Sequence, residues 1–141
     1  MKTQILFAAM LLSSLTACGK ASGDGAASAN DGPTSIEVPE FTVSDKPEDI
    51  AKGEEIFKAK GCTACHKVGG GKLVGPDLLG VTKRRTLKWV ERQILKPEVM
   101  LQEDATAKEL LKTFMTPMAN QNVDPTNELP FIMAYLKAHA Q

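Results

Sequence analysis

The chain has 141 residues, and its 17 Lys and Arg balance its 17 Asp and Glu, so the formal net charge is zero. It contains three cysteines and two histidines. Structural zinc sites take four Cys or His ligands, usually from two paired clusters, and this inventory argues against such a site.

The amino end has the pattern of an export signal. An apolar run at residues 5–12 is too short to span a bilayer, so we predict a signal peptide over residues 1–17. The run Leu15-Thr16-Ala17-Cys18 resembles the bacterial lipobox, whose cysteine receives a diacylglycerol and becomes the first mature residue. Because two acyl chains anchor a protein stably, we expect a lipoprotein held through Cys18 on the periplasmic side of a bacterial cell membrane. The alternative is secretory cleavage near Ala17, which leaves one free thiol.

Residues 18–45 are predicted to form a lipidated amino end and a flexible tether. Between residues 19 and 39 the chain is rich in Gly, Ala, Ser, Asn and Asp, and such a composition buries too little apolar surface to offset the entropy lost on ordering. A short strand is one interpretation of the apolar residues near its end, but we expect an extended segment that packs against the domain. These residues are Ile36, Val38, Phe41 and Val43.

The folded domain is predicted to span residues 46–141 and to begin with a helix. Asp45 and Pro47 indicate the start of this helix, and Gly61 follows its expected end near Lys60. A domain of this length has a modest core, so a buried ligand would add to its stability.

The run Cys62-Thr63-Ala64-Cys65-His66 directly follows this helix and constrains the chemistry most tightly. Two thiols at this spacing can each bond one vinyl group of a haem, and the adjacent imidazole can then ligate the iron. A Cys-x-x-Cys pair can also be a dithiol redox centre, but such a centre lies near a β-α-β pattern, and no strand is predicted near Cys62. We therefore predict one covalently bound haem c, attached by Cys62 and Cys65, with His66 as an iron ligand.

Two further helices are predicted from caps and apolar periodicity. Thr86 caps the first of them, which runs to Pro97, and Asp104 caps the second. Trp89 lies on the former, where its indole can donate to a haem propionate or simply fill the core. The predicted inward residues of the first helix are Leu87, Val90 and Ile94, and the second helix contains Leu110, Leu111 and Phe114.

The sixth position of a haem iron separates electron carriers from ligand-binding proteins, and methionine is the side chain expected in a carrier. Residues 114–120 contain Met115 and Met118 and, between them, Pro117, after which helical periodicity is lost. We predict that Met118 ligates the iron from this loop, with Met115 as the alternative.

The last helix is predicted to begin after Asn127. This start puts Pro130 in the first turn, where the missing N–H of a proline is harmless. The apolar stripe of the helix then contains Phe131, Tyr135 and Leu136.

Residues 46–141 resemble the monohaem class I cytochromes c, the small all-helical electron carriers of respiratory chains. The resemblance implies an all-α cytochrome c fold, with four or five short helices around one haem. It also implies that the Pro76 carbonyl accepts a hydrogen bond from the His66 imidazole, and that the last helix crosses the first at Gly53 and Phe57. Four runs carry the resemblance: Gly53-Glu54-Glu55-Ile56-Phe57, Gly61-Cys62-Thr63-Ala64-Cys65-His66, Gly75-Pro76-Asp77-Leu78 and Ala134-Tyr135-Leu136.

Charge is uneven along the domain, because residues 46–96 hold 12 Lys and Arg against 6 Asp and Glu. Two basic clusters lie beside the expected haem edge, where they would steer a redox partner with an acidic docking face. Nucleic acid is not an expected partner, and we expect a monomer. The clusters are Lys58, Lys60, Lys67 and Lys72, and then Lys83, Arg84, Arg85, Lys88 and Arg92.

We therefore expect a membrane-anchored periplasmic electron carrier without catalytic residues, which passes single electrons to or from a respiratory oxidase or reductase. One alternative is a haem subunit of a larger oxidoreductase. Another is a sensor or peroxidase with an open sixth iron position, although a peroxidase needs a distal acid and base and the sequence offers no such pair.

Overall fold

The computed structural model describes residues 30–140, and within that range the fold is all-α, with six α-helices, one 3₁₀ turn and no strand. The predicted fold class is confirmed, although the helices number six instead of four or five. The signal peptide and the lipidation site at Cys18 lie outside the described residues and stay predictions. The elements are α1 (Pro47–Ala59), the 3₁₀ turn (Cys62–Ala64), α2 (Val81–Arg84), α3 (Leu87–Leu95), α4 (Pro97–Glu103), α5 (Ala105–Phe114) and α6 (Leu129–Ala138).

Helices α2 and α4 were not predicted. Helix α3 ends at Leu95 as expected, but Pro97 also begins α4, because a proline at the start of a helix loses no intrahelical hydrogen bond. Helix α2 is a single turn that follows Gly80 at φ 68°. Four residues are too few to show a helical period.

Local capping chemistry fixes the ends of the predicted helices. The Thr86 hydroxyl accepts a hydrogen bond from the Trp89 N–H at 3.1 Å, and the Asp104 carboxylate accepts one from the Ala107 N–H at 2.8 Å. Gly61 follows α1 in the left-handed region at φ 74°. These caps confirm the predicted boundaries.

The start of α1 differs from the prediction. The residue before the helix is Lys46, whose side chain makes no capping hydrogen bond. Asp45, the expected cap, instead forms an ion pair with Lys137 of α6 at 3.0 Å.

Helix α6 crosses α1 and supplies much of the core. The rings of Phe57 and Tyr135 lie 5.4 Å apart between centroids, and Gly53 is buried beneath α6. This is the crossing that the sequence resemblance implied. The largest fully buried side chains are Met100, Leu129, Ile132, Met133 and Leu136. Leu87, which was predicted to face inward, is exposed.

The amino-terminal segment, residues 30–45, packs against the domain and is not a free tether in the described part. Ile36 is 4% exposed and Val43 is 8% exposed. The Arg92 guanidinium on α3 donates to the carbonyls of Asp31 at 2.7 Å and Ile36 at 3.1 Å. The packing of Ile36 and Val43 agrees with the extended segment that was expected from residue 36 onward, and no strand forms within residues 30–45. The contact of Asp31 lies in the part whose composition predicted flexibility.

No helix among residues 30–140 is long and apolar enough to cross a membrane.

Candidate functional site

A cavity of about 380 Å³ lies between the Cys-x-x-Cys-His motif and helices α3, α5 and α6. Its lining includes all five residues that the sequence singled out for a cofactor, although they are spread over 57 positions of the chain, from 62 to 118. They are Cys62, Cys65, His66, Pro76 and Met118. Apolar walls come from Leu110, Leu111 and Phe114 of α5 and from Ile132 and Leu136 of α6.

The two thiols lie on one compact turn. The Cys62 carbonyl accepts hydrogen bonds from the N–H groups of Cys65 at 3.2 Å and His66 at 2.9 Å. Both cysteines are half-buried and neither is in a disulfide. Burial raises the pKa of the Cys62 thiol above its ordinary value.

The described range, 30–140, contains no group of three or more His, Cys, Asp or Glu residues that could hold a metal ion.

The His66 imidazole is held by the loop that follows the motif. Its Nδ1 lies 2.9 Å from the Pro76 carbonyl oxygen. A carbonyl only accepts, so Nδ1 must carry the proton and Nε2 keeps its lone pair. The hydrogen bond that the resemblance implied is therefore present, and it leaves Nε2 as the nitrogen able to ligate a metal.

Gly75 lies directly against the same imidazole. A Cβ built at Gly75 would be 2.6 Å from His66 Cε1, and the Gly75 N–H donates to the Cys65 carbonyl at 2.8 Å. The sequence placed Gly75 in a motif without giving a reason for it. The structure supplies that reason, because any side chain at this position would displace the ring.

Asp77 organises the loop that carries Pro76, a role that the sequence analysis missed. Its carboxylate accepts hydrogen bonds from the N–H groups of Leu79 at 2.8 Å, Gly69 at 2.8 Å and Gly71 at 2.6 Å. These backbone donors hold the pKa of Asp77 below its usual range. The sequence signal for this role was the run of three consecutive glycines, residues 69–71, followed at position 77 by an aspartate.

The two candidate methionines differ in position. Met118 is half-buried in the cavity lining, and its Sδ lies 3.6 Å from Gln93 Nε2. Met115 is 81% exposed and adopts the left-handed conformation that ends α5, at φ 56°. Of the two side chains, only Met118 presents its thioether to the cavity.

Trp89 fills the core. Its side chain is 4% exposed, and its indole N–H donates to the Asp104 carboxylate at 3.1 Å. The donor is therefore engaged, and the alternative role as a propionate donor is not supported. Arg84 and Arg85 line the cavity instead, with the Arg85 guanidinium 5.5 Å from the Trp89 ring centroid. Sequence reasoning assigned these arginines only to a surface cluster.

The residues present fit a haem. The cavity offers apolar walls for the ring, two thiols on one turn for attachment and two arginines in its lining. It also contains an imidazole with a free Nε2 and a thioether, the two side-chain types that ligate iron in electron-transfer haems.

Comparisons with known proteins agree with this fit. The family model for cytochrome c matches residues 50–139. Cytochrome c-551 of Azotobacter vinelandii is 53% identical over 32 residues, which are 23% of this chain and 38% of that protein. The match therefore spans well under half the length of this curated relative.

Solved structures are similar over more of the chain. Cytochrome c from Rhodothermus marinus has a TM-score of 0.67 and 27% identity, covering 78% of this chain and 90% of that chain. An engineered form of it, bound to a carbene intermediate, has a TM-score of 0.59 and 26% identity, covering 78% and 91%. The chain belongs to the cytochrome c family, and its cofactor is a covalently bound haem c.

Proposed function

We propose that this protein is a lipid-anchored one-electron carrier in which Cys62 and Cys65 attach the haem while His66 and Met118 ligate its iron. The family implies haem-based electron transfer. The ligand assignment is supported by the observation that both thiols, His66 and Met118 line the same cavity. With His66 and Met118 both holding the iron, a bound haem would supply one-electron exchange and no bond-making chemistry.

The chain's own residues favour fast, repeated electron exchange. The Pro76 carbonyl fixes the His66 ring and tautomer, so little has to move when the charge of the site changes. Apolar side chains of α5 and α6 line the cavity. Together with a soft thioether ligand, this surrounding stabilises the reduced state and gives a comparatively high reduction potential.

The cavity mouth has features of a docking surface. Val74 lines the cavity and is 43% exposed, and the neighbouring Leu73 is 45% exposed. Exposed Lys67, Lys72 and Lys83 lie in the same region of the chain. An apolar patch with exposed lysines near it in the sequence suits a redox partner that presents an acidic rim, such as a respiratory oxidase or reductase.

Absorption spectra of the purified protein test the proposed ligation. We expect c-type haem bands after reduction, a weak far-red band of methionine sulfur in the oxidised protein, and no change when carbon monoxide is added to the reduced protein. Carbon monoxide binding without the far-red band would contradict the carrier and support the alternative with an open sixth position. Stable co-purification with a catalytic partner would instead identify a haem subunit of a larger oxidoreductase.

The membrane anchor is tested separately. Cys18→Ser removes the predicted acyl acceptor, so the haem-stained protein should move from the membrane fraction to the soluble periplasmic fraction. Haem attachment should be unchanged, because Cys62 and Cys65 remain. Retention of the variant in the membrane fraction would count against lipid anchoring.

A further inference from the structure

We propose that Gln93 is a positioning residue for Met118, holding the thioether as an iron ligand by a hydrogen bond from its side-chain amide. This inference rests on the proposed role of Met118 as an iron ligand.

Gln93 reaches the sulfur from a well-fixed helix. It lies on α3, which is capped by Thr86 and packed through the buried residues Trp89 and Val90. Its side chain lines the same cavity as Met118, and its Nε2 lies 3.6 Å from Met118 Sδ. An N–H donor at this distance from a sulfur acceptor is within hydrogen-bonding range, since the larger sulfur atom accepts at longer distances than oxygen.

The loop that carries Met118 depends on side chains for its position. Within the described part of the chain, residues 116–123 make no backbone–backbone hydrogen bond. The Asn120 amide donates to the Leu95 carbonyl at 3.2 Å, and the Lys60 ammonium donates to the Asn122 carbonyl at 3.0 Å. These contacts hold the loop's later part, whereas the contact from Gln93 acts on the sulfur itself.

The oxygen atom of the Gln93 side-chain amide lowers the stability of the folded protein. Among the described residues, this buried Oε1 has no hydrogen-bond partner, and an unpaired buried acceptor opposes folding. An apolar side chain of similar size would avoid that cost in this cavity. A polar residue that opposes stability and directs its donor at one sulfur has the character of a functional residue.

The chemistry of a thioether explains what such a donor does. Sulfur uses one lone pair for iron and keeps another that can accept a hydrogen bond. Accepting the Gln93 N–H would hold the sulfur where it can bind iron, and because a thioether ligand favours ferrous iron, a firmly held one would raise the reduction potential. The same bond holds the thioether against displacement by other ligands.

The test measures imidazole binding to the ferric holoprotein, together with the potential and the far-red band. Gln93→Leu should bind imidazole about threefold to tenfold more tightly, the equivalent of one hydrogen bond. It should also have a lower potential and a shifted far-red band. The free energy of unfolding should not fall, because the unpaired Oε1 leaves with the amide. A purely structural role would reduce the unfolding free energy without moving the potential.

Gln121→Leu is the matched control. Gln121 also lines the cavity, but its amide donates to the Ala119 carbonyl at 3.3 Å and not to the sulfur. Unchanged imidazole affinity and potential in the Gln93 variant, or equal shifts in both variants, would overturn the proposal. If Met118→Ala retains the far-red band, the ligand assignment itself fails; if it loses the band while Gln93→Leu changes nothing, only the role of Gln93 fails.

Discussion

Gly53 of α1 and Phe131 of α6 touch through their backbones. A Cβ built at Gly53 would lie 2.0 Å from the Phe131 carbonyl oxygen and 2.7 Å from its carbonyl carbon. Both groups belong to helix backbones, so neither can move aside as a flexible side chain would. The first and last helices can therefore cross this closely only because residue 53 has no Cβ atom.

Gly53→Ala should separate these two helices and destabilise the holoprotein by about 3 kcal/mol, at the upper end of typical overpacking costs. Urea unfolding followed by far-ultraviolet circular dichroism measures this change. Gly71→Ala is the control, because a Cβ there meets nothing within 4 Å and the cost comes only from its positive φ of 88°. Equal losses in the two variants would contradict the steric explanation.

Gly75→Ala should disturb the haem ligand without unfolding the protein. The added methyl would lie 2.6 Å from His66 Cε1, so the ring must tilt and its 2.9 Å bond to the Pro76 carbonyl must lengthen. We expect an altered reduction potential and changed haem-ligand signals in paramagnetic NMR spectra.

The neighbouring variant Gly70→Ala serves as the control for this loop. A Cβ there meets only the Lys67 side chain, at 3.9 Å, although the positive φ of 93° adds some strain. It should leave the potential unchanged. A potential that moves equally in both variants would indicate general loop strain and not contact with His66.

Features with local chemistry were predictable from the sequence. The Cys62-to-His66 motif, the caps at Thr86 and Asp104 and the stop at Gly61 each depend on residues within a few positions of one another. Contacts between distant residues were not predictable in this way. The Trp89 indole pairs with a carboxylate 15 positions away, and the amide that contacts the Met118 sulfur lies 25 positions before it.

The amino-terminal segment illustrates a second limit. Its composition is typical of a flexible chain, yet the described residues from 30 onward are ordered because one guanidinium on α3 collects three of their carbonyls. Ile36 and Val43 are buried, and Val38 and Phe41 pack against the core beside them. The composition of a segment shows how few apolar residues it contains. It does not show which hydrogen-bonding groups lie on the surface against which the segment packs.

Asp104 should be the most costly cap to remove. Its carboxylate accepts from the Ala107 N–H at 2.8 Å, the Asn30 amide at 2.9 Å and the buried Trp89 indole at 3.1 Å. Asp104→Ala loses the cap and leaves the indole unpaired, for a total of about 2 to 4 kcal/mol. Thr86→Ala, which removes a cap from α3 without exposing a buried side-chain donor, should cost about 1 kcal/mol.

The contribution of Asp104 should depend on pH. Burial by itself would raise the pKa of this carboxyl, but its hydrogen bonds, led by that from Ala107, together lower the pKa below the ordinary value. A lowered pKa means that the stabilisation is present above the unfolded-state pKa and disappears as the pH falls through the folded-state pKa. Unfolding free energies of wild type and Asp104→Ala should therefore converge in acid, and a difference that stays constant with pH would disprove this origin.

Met118→Ala and Met115→Ala should have different effects on the iron site. Met118→Ala should open the sixth position, so the far-red band disappears and the reduced protein binds carbon monoxide. The potential should fall, because the soft ligand that favours ferrous iron is gone. Met115→Ala should leave the spectrum and the potential unchanged, since that side chain is 81% exposed and lies outside the cavity lining.

Both variants remove the same side chain from one loop, so each controls for the other. Loss of the far-red band in the Met115 variant alone would reverse the ligand assignment, and loss in neither would mean that another group ligates the iron.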